Sequence, residues 1–397
     1  MIVPGALLGL AGLPSGGGPL GQLALAVAVL AGLVAATGIW LAVHHGYTRA
    51  RQVRIERRMA AASEILIPGL ADPESLRARF DRAVARTGPR SVAAVLRQLR
   101  RLVIGEEAQT LSNLLETVGE VRRLERLSRS RRAWLRAVAA RALGECGGER
   151  AEATLARLTS DGHPIVRRAA RLMLVVSGRA ELAEIAISSF LAEAPQHRGP
   201  VFFARLAAHH APLLRALLES GRLDAKDAKA ALEAFGYQRD RASAPSALSF
   251  VDSADPELRA SAVRVLGLVA PAEHWPQVLA HLADEVWFVR ACAARALAGA
   301  GPAPAIEEGL GRALRDQYWW VRANSARALA RRGEPGVREL LGALSGQDRY
   351  ARDAALSALA TRDALELVAG PLRTLVAASP RDPNLVELLA TARLRHV

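Results

Sequence analysis

The chain has 397 residues and a formal charge of +14; 51% of its residues are hydrophobic but only 4% are aromatic. Small aliphatic side chains in that proportion favour helices, and no segment alternates polar and apolar residues as a half-buried strand does. Cys146 and Cys292 lie far apart and exclude a disulfide framework, and the charge excess is carried by arginine, with lysine only at Lys226 and Lys229, a compositional bias that goes with abundant alanine and glycine.

Residues 1–43 carry no charged side chain, and Leu20 to Val43 form an unbroken run of 24 residues. As a helix this run is about 36 Å long, against about 30 Å of bilayer hydrocarbon. Residues 20–43 are therefore expected to be a transmembrane helix, with Trp40 at one interface. Pro14, Gly16, Gly17, Gly18 and Pro19 break it from the shorter stretch Ile2 to Leu13, leaving 1–19 as a short tail. The basic residues Arg49, Arg51, Arg54, Arg57 and Arg58 follow the run, whereas a cleaved secretion signal has a basic start. The positive-inside rule then puts the tail outside a bacterial inner (plasma) membrane and everything after about residue 44 in the cytoplasm. Ala24, Ala28, Gly32 and Ala36 place small side chains on one face, where a second membrane helix could approach; an alanine-rich run also yields such a stripe by chance. Residues 44–74 read as a basic juxtamembrane helix and linker, ended by Pro68–Gly69 and Asp72–Pro73.

The remainder repeats itself with a period near 31. DEVWFVRACAARALAG at 284–299 returns as DQYWWVRANSARALAR at 316–331. The shared arginine recurs as Arg136, Arg167, Arg259, Arg290, Arg322 and Arg352, at steps of 31, 92, 31, 32 and 30. The step of 92 leaves room for two degenerate repeats, which helical segments at 200–220 and 224–236 are expected to fill. Val321, Ser325, Ala326 and Leu329 fall on one helix face, as do Val289, Ala293, Ala294 and Leu297. One such unit cannot bury that face alone, so the units must stack. An aspartate stands six residues before the arginine in Asp161/Arg167, Asp284/Arg290 and Asp316/Arg322. It suits a helix N-cap there, and Asp255–Pro256 carries the same start signal.

The D-x5-R spacing, the VRxxAAxAL pattern and the period resemble HEAT repeats, in particular the bacterial HEAT-like repeats of the phycobilisome-lyase type. The resemblance covers about residues 75–380, with 381–397 as a C-terminal cap. It implies an all-α fold: an α-solenoid of HEAT-like helix pairs preceded by one transmembrane helix. It further implies a structural ladder between adjacent repeats, made by Asp161, Arg167, Asp284, Arg290, Asp316 and Arg322, and a concave surface lined by the helix that carries VR. No aspartate stands six residues before Arg259 or Arg352, so the ladder is expected to be imperfect there.

On that helix, the residue before the valine and the residue six after it face away from the core. The first column reads Trp134, Ile165, Glu257, Phe288, Trp320 and Tyr350; the second reads Arg141, Leu172, Arg264, Arg295, Arg327 and Ser357. Stacked, Trp134, Arg141, Arg264, Phe288, Arg295, Trp320, Arg327 and Tyr350 form a candidate partner-binding ridge. Its composition is that of protein hot spots and suits an anionic ligand. The competing reading packs helix-start aromatics between repeats, as is expected of Trp287 and Trp319.

The function that follows is a membrane-tethered cytoplasmic scaffold binding a protein partner on its concave face, rather than an enzyme. Proteins of this appearance are suspected of working beside membrane glycosyltransferases or other envelope-assembly components. One alternative is an enzyme on the same scaffold. Iron-binding HEAT hydroxylases use His-Glu pairs, but the chain has no His-Glu dipeptide and its nine histidines ignore the period. A lyase role gains nothing from the anchor. The other alternative is a nucleic-acid-binding HEAT protein, which the charge permits and the anchor disfavours. No GxxxxGK[ST], HExxH, CxxC or GxSxG occurs, so no cofactor or metal is expected.

Overall fold

The structure, a computed structural model, describes residues 19–70, 72–269, 272–360 and 386. The expected tail before residue 19, the end of the repeat region after 360 and the cap at 381–397 lie outside these, residue 386 excepted. Among the described residues there are nineteen α-helices and no strand. The chain divides into two compact units, 1–122 and 123–397.

Unit 1 begins with α1 (Pro19–Leu66), followed by α2 (Pro73–Thr87), α3 (Pro89–Arg100) and α4 (Gly105–Thr117). No proline interrupts the 48 residues of α1 after its first, so the helix continues past the apolar run without a break. Its side chains are exposed from Ala26 through Arg58, with Trp40 stacked on His44 at 5.1 Å, and its last turns enter a core. Ala62 and Leu66 are fully buried where α1 meets α2 and α3, beside the core residues Leu76, Phe80, Val92 and Leu96. The stretch read as juxtamembrane helix and linker therefore ends as a packed element, because its apolar side chains recur at helical spacing. Asp72 caps α2, accepting from the Glu74 and Ser75 N–H groups at 3.1 and 3.2 Å, with Pro73 at the first helical position. Among the described residues, Ala28, Gly32 and Ala36 of the small-residue stripe are exposed without a partner, and a Cβ on Gly32 would meet nothing within 4 Å. Ala24 lies where side chains are not described.

The helix α5 (Glu120–Leu127) crosses the division. Unit 2 then holds α6 (Ala133–Cys146), α7 (Glu149–Leu158), α8 (Pro164–Val176), α9 (Ala180–Leu191), α10 (Val201–Glu219), α11 (Ala225–Gln238), α12 (Ala244–Leu248), α13 (Pro256–Val269), α14 (Trp275–Ala280), α15 (Trp287–Ala296), α16 (Pro304–Ala313), α17 (Trp319–Ala330), α18 (Gly333–Leu344) and α19 (Arg349–Leu359). The arginine motif opens α6, α8, α13, α15, α17 and α19. With α10 and α11 between α8 and α13, these form one row in which each helix packs on the next. The remaining helices pair with them from the other side. Val166, Val289, Val321, Leu297 and Leu329 are fully buried between the two layers, as their shared helix face requires. This is an α-solenoid.

Two features set the row's geometry. A Cβ built on Gly267 would lie 2.4 Å from the Ala296 Cβ, so the bare backbone at Gly267 is what lets α13 and α15 meet so closely. In the degenerate region α10 is kinked: His210 has φ −143° and ψ 52°, ahead of Pro212, whose ring cannot take the preceding helical hydrogen bond. The buried His210 ring hydrogen-bonds the Val175 carbonyl at 2.9 Å and ties the kink to α8.

Candidate partner-binding groove

Each ladder aspartate accepts three hydrogen bonds. Asp161, Asp284 and Asp316 accept, respectively, the His163, Val286 and Tyr318 N–H at 2.9, 2.8 and 2.8 Å, turning the chain into the next motif helix. They also receive the guanidinium of the preceding repeat. Arg136 reaches Asp161 at 2.8 and 2.7 Å, Arg259 reaches Asp284 at 2.9 and 3.0 Å, and Arg290 reaches Asp316 at 2.6 and 3.1 Å. The arginine six residues after each aspartate binds that residue's backbone carbonyl instead: Arg167 at 3.0 Å, Arg290 and Arg322 at 2.8 Å. Arg259 is thus fully paired forward; what its own repeat lacks is a carboxylate for the repeat before, since Ser253 stands in the aspartate position, where its Oγ accepts the Asp255 N–H at 3.2 Å and its carbonyl takes Arg259 at 2.9 Å. At the other end Gly346 holds the position six before Arg352. Arg322 there faces the Tyr350 ring at 4.9 Å, and its buried Nε has no partner.

Two rungs carry other residue types. Arg167 binds Glu193 at 2.6 Å, and the buried Arg171 also binds Glu193. Arg198, 31 residues after Arg167, binds the Glu193 and Leu191 carbonyls behind it and Asp227 ahead of it at 2.9 Å. The interval of 92 residues therefore contains a rung that the D-x5-R pattern passes over.

The outward face of the same row carries cavities between its side chains. A cavity of about 530 Å³ between α13, α15 and α17 is floored by Gly267, Ala291 and Ala296 and edged by Arg264, Trp287, Phe288, Arg295 and Trp320. A second cavity, of about 450 Å³, shares Arg295 and Trp320 and adds Arg327 and Arg331. Trp287 stacks on Tyr318 at 5.6 Å and meets Phe288 edge-on at 5.8 Å. Asn324 bridges the two cavities, donating to the Ala291 carbonyl and accepting from Arg327, both at 3.2 Å. Arg264 pairs with Glu233 at 3.2 Å, both side chains well exposed. Among the described residues, Arg295 and Arg331 make no hydrogen bond or ion pair.

Of the ridge residues, Arg264, Phe288, Arg295, Trp320 and Arg327 are brought together here. Tyr350 lines a smaller hollow of about 170 Å³ with Trp319 and Arg327. Trp134 and Arg141 lie on α6, several helices away along the row, and are exposed. Trp134, Trp320 and Tyr350 are 57%, 53% and 59% exposed, so these helix-start aromatics do not fill the spaces between repeats. Trp287 is half-buried, but Trp319, expected to pack, is 55% exposed; it opens α17 two residues before the core begins at Val321.

Residues 276–360 match a family model described as HEAT repeats. The solenoid is built of HEAT-like pairs. No curated protein matches the sequence. Among solved structures, an engineered protein aligns at 18% identity over 79% of this chain and 97% of its own, with a TM-score of 0.35. Kap95p, in a structure concerned with its binding of RanGDP, aligns at 12% over 85% of this chain and 54% of its own, with a TM-score of 0.46. Kap121p aligns at 11% over 77% and 45%, with a TM-score of 0.40. This chain spans about half the length of those two.

The HEAT-like ladder is expected to make the solenoid acid-sensitive. The Arg136 guanidinium holds the Asp161 carboxyl below the ordinary carboxylate range, against the opposing push of burial. Burial pushes Asp284 up, but the bonds from Arg259 and the Val286 N–H outweigh it, and the net direction is down. A carboxyl depressed by folding contributes stability above its unfolded pKa and loses it as pH falls through the folded value. The urea midpoint is expected to be level above about pH 5 and to fall below about pH 4. Asp161→Asn with Asp284→Asn should flatten that fall. An unchanged acid slope in the double variant would assign acid sensitivity to other groups.

Proposed function

We propose that this protein is a membrane-tethered scaffold, anchored by α1 with its repeats in the cytoplasm, that binds a protein partner on the motif-helix face. The observation that carries the reading is the exposed groove of aromatic and arginine side chains on α13, α15 and α17. Trp, Tyr and Arg are the residues whose burial contributes most at protein interfaces. The tether is supported by α1, which is long and apolar enough to cross a bilayer: its most apolar 18 residues have a mean hydropathy of 2.3 and none is buried. The arginines that follow, Arg49 to Arg58, support the inward orientation. The reading is of binding rather than catalysis: the groove is lined by cations and rings, and the Cys292 thiol in it accepts from Arg264 at 3.8 Å rather than facing a base. A membrane glycosyltransferase or another envelope-assembly component is the class of partner such a tether would serve.

The test is crosslinking and capture from membranes with the wild type and a Trp320→Ala, Arg295→Ala, Arg327→Ala variant. All three side chains are exposed, so the urea midpoint should not change. Capture of a common partner is expected to drop at least about tenfold in the variant. Equal capture by both would remove the groove as the functional surface.

A further inference from the structure

We infer that the groove on α13, α15 and α17 takes an extended acidic segment of the partner protein, with carboxylates at every third residue and one large apolar side chain among them. This rests on the scaffold reading and names the chemistry its partner must have. Arg264, Arg295 and Arg327 are each the ninth residue of their helix. Motif helices packed side by side lie about 8–10 Å apart, so the three guanidinium groups recur at about that interval along the row. Three residues of a chain extended as polyproline II advance about 9 Å and bring the side chain back to the same face. Carboxylates at every third position would therefore meet successive arginines, each able to bind one through two parallel hydrogen bonds. An α-helix advances only about 1.5 Å per residue and would span the same interval only over about seven residues.

Charge argues in the same direction. Arg295, Arg327 and Arg331 surround one cavity whose lining holds no carboxylate. Among the described residues the side chains of Arg295 and Arg331 have no partner and that of Arg327 has only the neutral Asn324. Three cations held this close repel one another until an anion arrives. Among the ladder arginines of unit 2, Arg136, Arg167, Arg259 and Arg290 each meet a carboxylate. The apolar side chain has its own place: the floor of Gly267, Ala291 and Ala296 beneath Trp287 and Phe288 has room for a Phe or Leu side chain and offers nothing for it to hydrogen-bond.

The experiment measures fluorescence anisotropy of labelled peptides with the full-length protein in neutral detergent. One peptide carries Glu at every third residue around a single Phe. A second has the same composition with its Glu residues in one block. A single-stranded oligonucleotide of equal charge is the third probe. The spaced peptide is expected to bind at least about fivefold tighter than the blocked one, and Arg295→Glu with Arg331→Glu is expected to weaken it at least about tenfold. Both positions are exposed and unpaired, so circular dichroism and the urea midpoint should match wild type. Equal binding of the two peptides, or binding that survives the charge reversal, overturns the inference. So does tighter binding of the oligonucleotide, which would assign the groove to nucleic acid. If membrane capture depends on the groove while no acidic peptide binds, the scaffold reading stands and the acidic partner falls.

Discussion

Arg332→Ala is expected to lower the stability of unit 2 by about 4 kcal/mol. The Arg332 side chain is 2% exposed and Glu307, its partner on α16, is 6% exposed. Its guanidinium donates to Glu307 at 2.7 Å and to the carbonyls of Leu297, Ala300 and Gly301 at 2.8, 2.9 and 2.7 Å. One side chain at the start of α18 thus closes the turn between α15 and α16. Its removal leaves a buried carboxylate uncompensated and three carbonyls without their donor, and each loss adds to the penalty. Arg332→Lys should recover less than half, because an ammonium cannot present the same planar fork. Glu307→Gln, which keeps the shape and removes the charge, should lose less than Arg332→Ala. The measurement is the urea midpoint of the full-length protein in detergent, with hydrogen exchange across α15 to α18 to show where the loss falls. A shift below about 1 kcal/mol would mean that water replaces the guanidinium easily and that the turn is not held by it.

Arg290→Ala is expected to cost about 3 kcal/mol, while Arg322→Ala costs roughly half as much. Both arginines stand at the same motif position and both bind two carbonyls of their own loop. Only Arg290 has a carboxylate ahead of it, and that Asp316 also holds the turn into α17. Arg322 has the face of Tyr350, worth less than an ion pair at one-tenth exposure. A double-mutant cycle between Arg290 and Asp316 should return a coupling of about 1.5 kcal/mol or more. Equal losses at Arg290 and Arg322 would show that the carbonyl bonds, rather than the carboxylate, carry the ladder.

These residues also mark where reading the sequence stops. The D-x5-R spacing locates the loop before each motif helix, but it pairs each arginine with the nearest aspartate in the chain. In space the guanidinium turns back onto that aspartate's carbonyl and forward to a carboxylate 25 or 26 residues on. Glu193 and Arg198 serve the same ladder without matching the spacing, because the solenoid needs a carboxylate and a guanidinium at two points in space and not a fixed pair of letters. Arg332 gave no signal at all: one of two arginines after α17, it looks like a solvated helix end. A basic residue that follows a helix and precedes a glycine is the only hint, and it is a weak one.

The sequence by itself determined the helices, their period near 31, the inward valines, alanines and leucines of the motif helices, and an apolar run long enough to cross a bilayer. All of these are local properties, set by side-chain spacing along one helix and by capping residues within a few positions. It also placed Arg264, Arg295 and Arg327 in one outward column, since equivalent positions of stacked repeats must line up. Only the tertiary structure decided which arginines are spent on the ladder and which are left without partners, that α1 ends as part of a core, and that the aromatics at the helix starts edge a groove rather than fill the gaps between repeats. Those outcomes depend on what lies across the next repeat, and a side chain's neighbours one repeat away are fixed by packing, not by its place in the chain.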